Sequence, residues 1–267
     1  MIRQPAVAGS FYQADPIRLK HDLDQLLSSK IPPQKVKALI VPHAGYIYSG
    51  AVAGELFAGT QIPQTVVLLG PNHHGAGHDI AVTGADGWEM PFGTVPIAAD
   101  LRDKLCAAVQ GLVIDDRAHQ LEHSLEVMLP FLQCRQPHLS IVPISLRSLR
   151  YEDAAQLGKS IAAVLQRQKQ EVLLLASSDM NHFLDADTTQ KLDSLAINEM
   201  TGYDPEGLYK TVMENRISMC GVLPAVVVMH AAKDLGAASC RLVRYAHSGM
   251  VNGDNNRVVG YAGLMID

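Results

Sequence analysis

Three apolar runs in this sequence each end in a segment rich in imidazole, carboxylate or hydroxyl side chains. Val36–Val41 leads into Pro42, His43, Ala44, Gly45 and Tyr46, and Thr65–Leu69 leads into Gly70, Pro71, Asn72, His73, His74 and Gly75. Glu171–Ala176 leads into Ser177, Ser178, Asp179, Met180, Asn181 and His182. A fourth segment, Ile217–Gly221, precedes an apolar helical pattern and places Cys220 near a helix N-terminus, where the positive end of the dipole favours thiolate. Two imidazoles and a thiolate form a metal-ligand set.

Each of these residues also has a plainer reading. A lone histidine after a strand, such as His43, serves as a hydrogen-bonded loop residue, and a lone cysteine such as Cys220 packs as a small apolar group. Neighbours in an extended loop face opposite ways, so one of His73 and His74 would reach a metal while the other lines the pocket. Glu122–Glu126 opens a helical pattern running to Gln133, with Glu122 and Glu126 on one face. The two acids suit a helix start, and the alternative turns His123 and a carboxylate toward the site. His21, His119, His138, His230 and His247 read as structural or solvated, Cys106, Cys134 and Cys240 as packed, and His78 stays open. Patterns for phosphate-binding glycine loops, a nucleophile elbow, a zincin helix and an EF-hand are absent from the sequence.

The elements that must position these groups alternate along the chain. Strands are expected at Val36–Val41, Thr65–Leu69, Ser140–Ile144, Glu171–Ala176, Arg241–Tyr245 and Arg257–Ile266. Helices are expected over Asp15–Leu27, Ala51–Ala58, Asp100–Gln110, Glu122–Gln133, Tyr151–Gln168, Asp185–Met200 and Gly221–Lys233. In the first of these Asp15 can cap and Pro16 suits the opening turn. This order predicts an α/β fold, a single-domain α/β/α sandwich over residues 1–267 on a central, mainly parallel or mixed sheet. In such sheets ligands gather at the carboxyl ends of the strands.

Composition narrows the function classes. With 27 acidic and 22 basic residues the net charge is −5, and no basic stripe for nucleic acid is implied. Hydrophobic residues at 48% against 18% charged fit a folded core rather than a disordered chain. The longest apolar runs, Val172–Ala176 and Ala225–Met229, fall far short of a membrane span, and the N-terminus lacks an apolar leader, so a cytoplasmic location is expected. The four cysteines form no CxxC pair and no disulfide framework.

Six segments taken together resemble one family: Arg3–Tyr12, Val41–Gly50, Leu69–His74, Glu122–Glu126, Ser177–Phe183 and Cys220–Gly221. The chain resembles the Memo family, whose bacterial and archaeal members are also called AmmeMemoRadiSam system protein B after the AMMECR1-like and radical-SAM proteins they accompany. The resemblance implies a fold similar to the class III, non-haem iron extradiol dioxygenases. It further implies His43, His73 and Cys220 as metal ligands, Asp179 and His182 as catalytic neighbours, and His74, His123 and Glu122 at the pocket wall. In the dioxygenases the third ligand is a carboxylate, where this chain offers Cys220. A thiolate is the softer donor, so iron (Fe2+) or copper is expected, with zinc as a further option.

The leading expectation is therefore a metal-binding redox protein in which His182 moves protons, oriented by Asp179, on an unknown small molecule. The alternative is a scaffold that uses the same pocket to recognise a peptide or protein partner. A third reading is a metal-free hydrolase pairing Cys220 with His182.

Overall fold

The apolar runs are continuous because the central strands are covered on both faces. Along β2 (Ala38–Val41), Ala38 and Ile40 face one helical layer while Leu39 and Val41 face the other. The computed structural model describes residues 1–27 and 32–267. After β1 (Ile2–Arg3) come α1 (Pro16–Leu26), β2, α2 (Tyr46–Ala58), β3 (Thr65–Pro71) and β4 (Ile80–Val82). Next are β5 (Gly87–Trp88), β6 (Val95–Pro96), α3 (Ala99–Ala108), β7 (Leu112–Ile114), α4 (Leu129–Arg135) and β8 (Ser140–Leu146). The chain continues through α5 (Tyr151–Leu165), β9 (Val172–Ser177), β10 (His182–Leu184), α6 (Ala186–Thr201) and α7 (Pro205–Glu214). It closes with α8 (Val222–Asp234), β11 (Cys240–His247), α9 (Gly249–Asn252) and β12 (Val258–Ile266).

The main sheet is mixed, in the order β10-β12-β2-β9-β3-β8-β4-β7, with β11 along the other edge of β12. Its centre, β2-β9-β3-β8, is parallel, and β12 and β4 flank that centre antiparallel. One face carries residues of α3, α5, α6, α7 and α8, the other those of α1, α2 and α4. The expected α/β/α sandwich on a mixed sheet is the observed one. No helix among the described residues is long and apolar enough to cross a membrane.

Several boundaries differ from the sequence reading. The second helix begins at Tyr46 rather than Ala51. The expected helix Glu122–Gln133 is broken: Glu126–Met128 is a single 3-10 turn, and the α-helix runs only over Leu129–Arg135. Pro130 lies in the opening turn of α4, where its missing N–H costs least. Glu122 and Glu126 therefore do not share a helical face. They point to different partners, the first to His73 and the second to Arg3. The helix at Pro205–Glu214 had no counterpart in the sequence reading, although Asp204 caps it and Pro205 opens it.

The N-terminal strand belongs to a small three-stranded sheet, β1-β5-β6, held to the main body by a buried ion pair. The Arg3 guanidinium reaches Glu126 at 2.8 Å, donates to the carbonyls of His119 and Glu122 at 2.7 Å each, and lies over the Trp88 ring at 4.2 Å. The Glu126 carboxylate also accepts from Ala6 N–H, Val7 N–H and the Tyr12 hydroxyl. Its side chain is fully buried.

A second buried acid, Asp193 on α6, braces the other end of the sheet. It accepts from Asn181 N–H at 2.8 Å and from the Tyr245 hydroxyl at 2.7 Å. Gly260 is required beside it, because a Cβ there would run into the Asp193 carboxylate. Burial raises the Asp193 carboxyl to about 6 despite these hydrogen bonds.

Two outcomes follow from these buried acids. Glu126→Leu is expected to lose about 3–5 kcal/mol of stability in urea titration by stranding Arg3, and combining it with Arg3→Met should recover part of that loss. Asp193 binds its proton more tightly folded than unfolded, so its contribution to stability falls as pH rises from about 4 through about 6. Asp193→Asn should thus gain on the parent across that window, by on the order of 2–3 kcal/mol, read as the difference in unfolding free energy at pH 4 and pH 7.

Candidate metal centre

Three loops at the carboxyl edge of the sheet bring His43, His73 and His123 together, with one ring nitrogen from each lying within 4.8 Å of the others. His43 follows β2 and is buried, with its Nδ1 2.6 Å from the Ser177 hydroxyl. Ser177 donates its single proton to the Ser124 carbonyl at 2.7 Å, so it accepts from Nδ1–H of His43. The lone pair of His43 is left on Nε2.

The same logic fixes His73, which follows β3. Its backbone N–H donates to Glu122 Oε2 at 2.7 Å, and its Nδ1 faces Oε1 at 2.9 Å. Ser124 N–H donates to Oε1 as well. Burial works to raise the Glu122 carboxyl, but the donors and charge of His73 together with Ser124 N–H hold it well below the usual carboxylate range. As an anion it accepts Nδ1–H and leaves Nε2 of His73 with its lone pair.

His123 stacks on His73 with ring centroids 4.7 Å apart and lies 4.8 Å from the Phe11 ring. Its Nδ1 stands 3.6 Å from Glu122, too far for a hydrogen bond. Burial, together with the neighbouring imidazoles, holds His43 well below 6.5, and burial brings His123 down to about 4. His43 and His123 are thus neutral bases at physiological pH, the form in which imidazole ligates a metal.

Cys220 meets this cluster from the side, its Sγ 3.2 Å from His43 Nε2 and receiving Asp179 N–H at 3.3 Å. The surroundings of Cys220 favour the protonated thiol. Burial, with the Asp179 carboxyl adding to it, pushes the thiol far above its ordinary value, and this outweighs any help from the start of α8. Gly221 is needed next to it, because a Cβ there would strike the Ser177 carbonyl and the Ser178 side chain.

Asp179 is buried and accepts from His43 N–H at 2.7 Å, and burial raises its carboxyl to about 7. Its expected role of orienting His182 falls to Ser218 instead. His182 Nδ1 faces the Ser218 carbonyl at 2.8 Å and its N–H donates to Ser218 Oγ at 2.8 Å, while Asn181 Oδ1 holds Ser218 in place. This leaves Nε2 of His182 without its proton, close enough to His43 to weigh on its charge. His74 is exposed and stands outside the three-nitrogen set.

Sequence reasoning placed His123 at the wall and did not single out the orienting roles of Ser177 and Ser218. Those roles depend on hydroxyl rotors and loop turns rather than on spacing. The one available signal was that Ser177 ends β9 directly opposite Val41, at the start of the His43 loop.

Comparison with known proteins agrees with this picture. The profile of the Memo-like protein family matches residues 3–265. A MEMO1 family protein of Aquifex aeolicus is 43% identical over 267 residues, covering 99% of this chain and 98% of its own length. MEMO1 family proteins of Methanothermobacter thermautotrophicus and Sulfolobus acidocaldarius are 36% and 38% identical, with coverage of each pair of chains at 98% or more. The crystal structure of an uncharacterized protein from Escherichia coli K12 shares the fold, with a TM-score of 0.61 over 87% of this chain and all of that one, at 14% identity. With six motifs, a family profile and full-length relatives in accord, this chain belongs to the Memo family.

Proposed function

We propose that His43, His73 and His123 hold one metal ion, iron (Fe2+) or copper with zinc as a further option, and that the protein is a redox enzyme acting on a small molecule. The observation that carries this reading is the hydrogen bonding behind the cluster. The Nδ1–H groups of His43 and His73 are committed to Ser177 and Glu122, which turns two Nε2 lone pairs outward beside His123. Three nitrogens fall short of a closed four-ligand shell, as in catalytic rather than structural sites. A bound metal would supply Lewis acidity and, for iron or copper, electron transfer.

The chain's own residues have distinct tasks in this reading. Glu122 raises the basicity of His73 through Nδ1–H, and Asp179 fixes the His43 backbone. Cys220 keeps its proton beside His43 Nε2, and release of that proton would add a soft sulfur donor, favouring copper. His182, with Nδ1–H on Ser218, takes or gives a proton at Nε2. Cys220 pairs with His43, so the pairing of Cys220 with His182 as a hydrolytic thiol and base draws no support from this geometry.

Anaerobic reconstitution with Fe(II), Cu(I) or Zn(II), followed by elemental analysis, should give about one metal per chain, absent once His43, His73 and His123 are all alanine. Uptake that survives the triple replacement, or none in the parent, would sink the assignment. Glu122→Gln places an amide against His73 and should weaken metal binding by about 10–100-fold in competition titrations. Cys220→Ser should cost Cu(I) more affinity than Zn(II). Oxygen uptake screened with catechols should require the metal and be lost in His182→Asn.

A further inference from the structure

The strand that carries His182 is irregular at the next residue. His182 pairs with Val259 and Leu184 with Val258, so Phe183 is an extra, unpaired residue of a β-bulge. Its φ is +66°, a left-handed conformation that glycine or asparagine adopts readily and a bulky aromatic residue adopts at a cost of order 1–2 kcal/mol. The ring recovers little of that by burial, since Phe183 is 57% exposed. A strained, solvent-facing aromatic beside a catalytic histidine calls for a reason other than packing.

Its surroundings supply one. The Phe183 ring stands edge-on to His182, centroids 5.5 Å apart, and the Arg257 guanidinium lies over it at 4.6 Å. Arg257 is held in register by the turn before it, where Asn255 carbonyl accepts Ala186 N–H at 2.9 Å from the start of α6. Among the described residues no carboxylate lies within ion-pair distance of Arg257, and its fork of N–H donors makes no hydrogen bond. An arginine stacked by its face on an aromatic ring keeps its edges available for bidentate recognition of an oxyanion.

We propose that Phe183 and Arg257 form the specificity device of the site: the bulge sets the ring beside His182, the ring steadies the guanidinium, and the guanidinium binds the carboxylate or phosphate of an anionic substrate whose other end reaches the histidine cluster. This assignment of substrate class rests on the metal-centre reading above. The recognition itself uses only Phe183 and Arg257 and is measurable without metal.

The test is an NMR titration of the metal-free protein with benzoate, its neutral counterpart benzamide, and inorganic phosphate, following the Arg257 Nε–H and the His182 ring. Saturable shifts are expected with benzoate or phosphate and not with benzamide. The better of the two anions identifies a carboxylate- or phosphate-bearing substrate. Arg257→Gln, a surface change that should leave the fold intact, is expected to weaken binding about tenfold or more. Phe183→Leu should weaken it by less, and Arg257→Lys, which keeps the charge and loses the fork, should not restore it. Absence of saturable shifts with either anion, or anion binding unchanged in Arg257→Gln, would overturn the proposal. Metal uptake is measured on the same samples: uptake without anion binding removes this inference and leaves the metal centre standing, whereas anion binding without uptake removes the metal centre instead.

Discussion

The parallel pairing of β2, β9 and β3 is the constraint from which the site follows. Val41 lies opposite Ser177 and Leu69 opposite Ala176, so the three strands end at nearly the same level. Their side chains are buried on both faces, and a slip of one residue would move each apolar set into the wrong layer. The register is thus set by the whole sheet, and the loops that leave it begin side by side. His43, His73 and Asp179 are neighbours because β2, β3 and β9 have no freedom to end elsewhere. The Glu122–Ser124 segment closes over them, fastened by Ser124 carbonyl to Ser177 and by Glu122 to the His73 loop.

Fixing the loops is not enough to fix the imidazoles, and the structure does this second task with groups that lie behind them. Ser177 has one proton and gives it away, which forces it to accept from His43. Glu122 is kept anionic by the donors around it, which forces it to accept from His73. Ser218 carbonyl does the same for His182. In each case the partner has only acceptor capacity left, so the tautomer is decided by hydrogen-bond accounting. The outer ends of these groups trace back to the buried acids: Arg3, paired with Glu126, holds the Glu122 carbonyl, and Asp193 holds Asn181, which holds Ser218.

His43 and His73 could be read from the sequence because each follows a run long and apolar enough to be a strand buried on both faces, and strand ends are where such folds collect ligands. The α/β/α architecture was legible for the same reason. Strands of two or three residues, such as β1, β5 and β7, carry too few positions to show a period. The stretch from Glu122 looked helical because its acids and apolar residues are spaced as in a helix, yet Glu122 turns to bond the His73 loop and Glu126 turns to Arg3. That turn is what swings His123 into the cluster, and no local pattern encodes it. The upward push on the Cys220 thiol was not legible, because proximity to a helix start is visible in sequence whereas depth of burial is not. Phe183 was illegible for a related reason: left-handed bulge positions are found by looking for glycine or asparagine, and here an aromatic residue takes that place.

The distribution of buried charge sets Glu122 apart at this edge of the sheet. Among the other buried acids, Glu126 faces Arg3 and Asp115 faces Arg117, while burial raises the Asp179 and Asp193 carboxyls. Glu122 stays anionic at the floor of the cluster with no lysine or arginine paired to it among the described residues, its partners being imidazole and backbone N–H groups. His43 and His123 beside it are kept neutral, chiefly by burial, and add no positive charge. Because its carboxyl binds a proton less tightly folded than unfolded, Glu122 contributes stability at neutral pH. In the proposed metal-centre reading, Glu122 would also be the counter-charge of a cation bound by the nitrogens above it. An apolar residue at 122 would leave the His73 and Ser124 N–H groups without their acceptor. The carboxylate therefore does two tasks at once: it closes the Glu122–Ser124 segment over the His73 loop, and it fixes the His73 ring through Nδ1.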